Sequence, residues 1–166
     1  MNSYLTQAKR LYHLALTELN ESKKAKDEDI ASEAAGKAWI ATTDALHGFL
    51  LSQGLSEKGL PKTERHRHDL LAQYGNKKMR LLYRSIIGEI HQNAYYGGII
   101  NYTLLYEAFY DVKEFVHRCE NGGWTKLKLL TTNNKHKIIT KTKLNNYENS
   151  KKHSWTNNYF RIVDYN

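Results

Sequence analysis

The sequence predicts an all-α, up-and-down bundle of about five helices over residues 1–119, followed by a basic extension over residues 120–166. Three observations carry this. Apolar residues recur at three- and four-residue steps through the first 119 positions. The chain has a single proline, Pro61, so nothing interrupts those steps except glycine and charged breaks. After Gly123 the helical period disappears, and nine of the fourteen asparagines lie in 120–166. At 166 residues the chain is long enough for one core and too short for two comfortable ones.

The first helix is expected over 3–22, where Leu5, Ala8, Leu11, Tyr12, Ala15 and Leu19 share a face and Lys9, Arg10, Glu18 and Glu21 fall elsewhere. The charged run "SKKAKDED" breaks it. A second helix, about Ile30 to Ser52, is rich in alanine, which lets a neighbouring backbone come close, and Gly54 ends it with a left-handed position. The stretch "LSEKGLPKTER" reads as a long loop. Thr63 then caps a short helix, "ERHRHDLLAQY", and Gly75-Asn76 closes it and caps the next. That fourth helix runs from about Lys77 to Tyr95, with Met79, Leu82, Tyr83, Ile86, Ile87, Ile90 and Ala94 on one side. A fifth, about Ile99 to Cys119, carries Leu104, Leu105, Ala108, Phe109, Val112 and Val116 and stops at "NGG". Two readings of the extension stand: a small β-rich appendage, with strands in "KLKLLTTNNKHKIITKTK" and "WTNNYFRIVDY", or a disordered tail.

Charge is unevenly spread. Residues 120–166 hold nine Lys/Arg against three Asp/Glu, +6 of the formal +8, which leaves only +2 for residues 1–119. A pI near 9.4 is therefore a property of the tail and does not make the body a polyanion-binding surface. The tail's lysines, interleaved with Trp124, Tyr147, Trp155, Tyr159 and Phe160, suit either a solvated appendage or a strand-tracking nucleic-acid contact. Mean hydropathy is −0.70, with no run near the roughly 18 apolar residues a membrane span needs and no signal-peptide core, so a soluble, cytoplasmic protein without a membrane partner is expected. One cysteine, Cys119, excludes an internal disulfide and a multi-cysteine zinc site, and reads as a small core residue. No cofactor is expected. Gly97-Gly98 lacks the lysine and serine of a phosphate loop, and His66 and His68, two apart on a helix, splay too widely to hold a metal together.

Five helices in this order, a long loop after the second, "HDLL" at 68–71, and a His-Asn-Tyr cluster between the fourth and fifth helices resemble the HEPN superfamily. These are small helical bundles of prokaryotic toxin, antiviral and nucleotidyltransferase-partner systems. "SEAAGKAWIATTDAL" is similar to their alanine-rich second helix, and "IHQNAYYGG" to the His-x-x-x-Tyr stretch of their uncharacterised bacterial branches. The likeness covers about residues 3–118. It implies a bundle acting as a binding or partner module, with an antitoxin or nucleotidyltransferase as partner. For catalytic members it implies a metal-independent endoribonuclease, in which an arginine followed after four to six residues by a histidine faces a second copy across a homodimer. Arg84 and His91 fit the long end of that window. The commoner four-residue gap, with a polar residue directly after the arginine, is not present; Ser85 is the only polar candidate.

On an α-helix, seven residues are nearly two turns, so Arg84 and His91 would point the same way, about 10 Å apart, and both could reach one phosphate. The imidazole would serve as general base at a ribose 2′-hydroxyl and the guanidinium would neutralise the phosphorane. Asn93, Tyr95 and Tyr96 would shape an RNA or nucleotide site, and His68 would brace the third helix. The alternative is structural: Arg84 pairs with Glu89 or another carboxylate, His91 bonds a carbonyl at a helix crossing, and the tyrosines pack at the rim.

Overall fold

A computed structural model describes residues 3–124; beyond Trp124 the expected β-rich or disordered extension, with the rest of its aromatic–lysine pattern, lies outside the described residues. Those described form an all-helical bundle with no strand. The five helices are α1 (Ser3–Ala25), α2 (Glu28–Ser52), α3 (Glu64–Tyr74), α4 (Lys77–Ile86) and α5 (Tyr102–Glu120), and α4 runs on without a break into a π-helical segment, Ile87–Tyr96.

The break between α1 and α2 is shorter than the charged run suggests. Helix α1 continues through Ala25, and the chain reverses at Lys26, which takes a left-handed φ of 56°, and Asp27. The Asp27 carboxylate accepts from the amides of Asp29 and Ile30, meeting two of the free N–H groups that open α2, and its charge sits favourably at the positive end of the helix dipole. The two long helices pack as a hairpin because α2 places Ala31, Ala34, Ala35, Ala38, Ala41 and Ala45 in the interior, opposite Ala8, Ala15 and Leu19 of α1. Small side chains on both faces let the backbones approach closely. Lys37 closes on Glu18 at 2.7 Å across this hairpin, and Lys9 ties α1 to Glu120 at the end of α5 at 2.6 Å.

Gly54, at φ 95°, ends α2, and the loop beyond it holds a 3-10 turn at Glu57–Gly59. His47 of α2 bonds the Pro61 carbonyl at 3.3 Å and meets Tyr4 edge-on, which fastens that loop to the bundle. Thr63 and Asn76 cap α3 and α4 as expected, accepting from the amides of His66 and Met79. Asn76 also acts as a bridge, because its side-chain amide donates to the carbonyl of Gly123 and so joins the start of α4 to the chain just past α5.

The core runs through α1, α2, α4, the π segment and α5, with Phe49, Tyr83, Phe109 and Phe115 its largest fully buried side chains. Cys119 is also sealed in it, and burial pushes the thiol well above its ordinary pKa. Leu104, expected inside, is instead 44 % exposed, because the inward stripe of α5 begins at Leu105 and continues through Ala108, Phe109 and Val112. No described helix is long and apolar enough to cross a membrane.

Candidate functional site

The π segment decides where the polar residues of the fourth helix go. Its i→i+5 ladder takes more residues per turn than the about 3.6 of an α-helix, so the seven-residue step from Arg84 to His91 no longer completes two turns. Arg84, still on α4, is exposed, and among the described residues its guanidinium has no ion-pair or hydrogen-bond partner. It does not pair with Glu89; that carboxylate instead accepts from Asn93 at 3.2 Å. His91 is turned onto α2 and α3, and the charges that act on it are those of Glu64 and Arg67. The shared Arg84–His91 phosphate site drawn for a regular α-helix therefore has no counterpart in the contacts of either residue.

Around His91 a different set assembles. Its ring stacks on Trp39 of α2, with centroids 4.1 Å apart and planes at 22°. Tyr95 lies nearly parallel at 6.3 Å, and Tyr96 meets the imidazole edge-on at 4.8 Å. Trp39 is only 8 % exposed, whereas Tyr95 is 43 % and Tyr96 73 % exposed, so the stack begins in the core and ends in solvent. Gly36 makes room for it: a Cβ at that position would come within 2.8 Å of the Tyr95 ring. The Tyr95 carbonyl accepts from Ser32 Oγ at 3.3 Å, which holds the end of the π segment against α2.

Helix α3 supplies the charged half. Glu64, Arg67 and His68 stand at i, i+3 and i+4 and so share one face. The Glu64 carboxylate lies 3.3 Å from Arg67 and 3.4 Å from His68, and the hydroxyl of the fully buried Tyr83 donates to it at 3.5 Å. Arg67 also sits over the Trp39 ring at 5.8 Å, and His68 meets Tyr83 edge-on. His68 thus braces α3 through Glu64 and Tyr83 rather than through a backbone cap.

Three buried side-chain atoms among the described residues have no hydrogen-bond partner: Glu64 Oε1, Arg67 Nε and His91 Nδ1. All three belong to this one cluster, and of them Glu64 Oε1 has His68 Nε2 3.4 Å away, an ion pair when that imidazole is protonated. Unsatisfied buried polar atoms are costly and scarce in folded proteins, so their concentration at one place marks it out from the rest of the bundle. Burial lowers the pKa of His91; the Glu64 carboxylate partly offsets this, and the Arg67 guanidinium adds to it, so the imidazole is neutral at neutral pH. Burial likewise lowers His47, with its bond to Pro61 opposing and Arg67 assisting. Tyr83 is pushed far above the usual phenol value by burial, and Glu64 reinforces this.

No protein-family model, no curated protein and no solved structure matches the chain. The chemistry of the site therefore rests on its own atoms. The exposed rings of Tyr95 and Tyr96, held beside a neutral imidazole that is itself stacked on Trp39, offer an aromatic surface on which a flat ring can stack. The guanidinium is engaged by Glu64, which leaves the cluster suited to a planar polar group more than to a bare phosphate. Among the described residues no three His, Cys, Asp or Glu side chains gather as a metal would require.

Of the residues the sequence singles out, His91, Tyr95, Tyr96 and His68 lie in this cluster, Arg84 and Asn93 do not, and Trp39, Glu64, Arg67 and Tyr83 join it without being singled out. The spacing of Glu64, Arg67 and His68 was a usable signal, since it sets an acid, a guanidinium and an imidazole on one face of a short helix.

Proposed function

We propose that the chain is a HEPN-like helical-bundle protein that works as a non-catalytic binding module in the cytoplasm. In this reading it serves a toxin–antitoxin, defence or nucleotidyltransferase-linked system, pairs with a second copy of itself, and takes single-stranded RNA or a nucleotide at the surface around His91. The order of five helices and the His-Asn-Tyr stretch at the fourth–fifth junction support the family. The observation that carries the binding reading is the graded stack Trp39–His91–Tyr95–Tyr96, rooted in the core and open at Tyr96.

Base–aromatic stacking is worth about 1–3 kcal/mol per base. Tyr96→Ala in the full chain should weaken binding of a short single-stranded RNA about 5- to 150-fold in fluorescence anisotropy, with the circular dichroism unchanged because the ring is exposed. Equal affinity of variant and wild type would remove the site from the reading, whatever the basic tail contributes.

One observation favours a second reading, a metal-independent endoribonuclease: burial beside Trp39 keeps His91 in the neutral form a general base requires. Its test is RNA incubated in EDTA with wild type, His91→Ala, Arg67→Ala and Arg84→Ala. Cleavage lost with His91 is required, and the two arginine variants report which guanidinium serves the phosphate. Cleavage by none, or by all equally, ends this second reading.

A further inference from the structure

Arg67 stands where three elements meet. Its guanidinium lies 3.3 Å from Glu64 on α3 and 5.8 Å over the Trp39 ring of α2, and its charge acts on two imidazoles from different parts of the bundle, His47 on α2 and His91 on the π segment. His47 is half-buried, bonded to the Pro61 carbonyl in the loop that leads into α3 and set edge-on to Tyr4 of α1. His91 is stacked on Trp39. Burial is the larger cause that keeps both rings uncharged, and Arg67 adds to it; the Pro61 bond opposes this at His47 and Glu64 opposes it at His91. The remaining neighbours offer a proton little. Glu64 is already shared by Arg67, His68 and the Tyr83 hydroxyl, and Tyr4 at His47 and Tyr95 and Tyr96 at His91 meet the imidazoles with aromatic rings. Asp44, three residues before His47 on α2, enters no ion pair among the described residues. A protonated His68 pairs with Glu64, but both belong to α3, so that contact fastens nothing to α2.

We infer that α3 is a proton-operated latch: one proton at His47 and one at His91 set two further cations beside Arg67, and α3 comes away from α2 so that both rings reach water. The Pro61 bond does not prevent this, because an imidazolium still donates at both ring nitrogens. Leu60 and Pro61 are themselves buried, so the loop stays fastened while the helix after it moves. Each ring binds its proton more readily in the open form, so the closed form loses ground as pH falls. From pH 7.5 to pH 5.5, a span centred on the ordinary imidazole value of 6.5, the ratio of open to closed rises by at most about tenfold for one such ring and about a hundredfold for two. The latch requires neither the proposed ligand nor a second copy of the chain, and it stands or falls separately from both.

The test is saturation-transfer NMR on the full chain labelled with nitrogen-15, which reads the open population of α3, Glu64–Tyr74, against that of α2, Glu28–Ser52, at the two pH values. Wild type is expected to show a rise of about ten- to a hundredfold in α3 at pH 5.5 and none in α2. His91→Phe keeps a ring on Trp39 and His47→Gln keeps a donor for Pro61, so both variants should fold. Each alone should hold the rise to about tenfold or less, and the two together should abolish it. A wild-type rise below about threefold in α3, an α2 that opens as far as α3 does, or a double variant whose α3 still opens about tenfold more at pH 5.5 would each overturn the inference.

Discussion

Replacing His91 by phenylalanine should make the protein more stable. The phenyl ring can keep the stack on Trp39, now 4.1 Å from the imidazole, and aromatic pairs of this kind contribute about 0.5–1.5 kcal/mol beyond area burial in either case. What the substitution removes is the buried Nδ1, which has no hydrogen-bond partner and costs about 1–3 kcal/mol to leave unsatisfied. After some loss to imperfect shape, a net gain of about 1 kcal/mol remains, or about 3–6 °C in Tm for a bundle of this size. Protonation sets the sign of the pH dependence. His91 has a folded pKa below its unfolded value, so the unfolded chain takes up the proton first as pH falls, and wild-type stability declines through that window. Phenylalanine has no proton to bind, so its advantage should widen between about pH 7.5 and about pH 5.5. His47 shares the same sign but is present in both proteins, and the difference isolates His91. Thermal melts followed by circular dichroism at the two pH values measure this. A phenylalanine variant less stable than wild type by about 1 kcal/mol or more at both would mean that Nδ1 is satisfied and the cluster is ordinary core.

The neighbouring contacts fix further outcomes. Glu64→Gln removes the charge that raises His91, so an NMR titration should find the imidazole protonating at still lower pH, and Arg67→Gln should move it upward; shifts in the opposite sense would break the assigned electrostatics. Gly36→Ala places a methyl group where the Tyr95 ring now lies, and that half-exposed ring can swing outward, so RNA affinity should fall several-fold while Tm stays level or rises with the better helix former. Asn76→Ala loses both the α4 cap and the bond to Gly123, about 1 kcal/mol each, whereas Asn76→Asp keeps the cap and loses the donor, so it should lose about half as much; an Asn76→Asp variant that melts with wild type would deny the bridge its share.

Much of the fold was legible because it depends on spacing along one chain. Ala8, Tyr12, Ala15 and Leu19 declare the inner face of α1, and Thr63 and Asn76 mark the starts of their helices by side-chain chemistry alone. The π segment was not legible: Ile86, Ile90 and Ala94 step by four residues, which serves either ladder, so apolar spacing gives no warning that the polar residues have changed direction. That one change separates His91 from Arg84. Glu64, Arg67 and His68 could be placed on one face from sequence, but their meeting with Trp39 and Tyr83 is a property of how α3 lies on α2 and α4, which local spacing does not contain.

Helix α3 buries one side chain, Leu71, in eleven residues, so the charged half of the site stands on the least anchored of the five helices. Its amide protons should exchange with solvent sooner than those of α2, whose buried residues span its length. Were α3 to lift, Glu64 and Arg67 would leave the imidazole together, so amide exchange in that helix and the basicity of His91 should report one equilibrium.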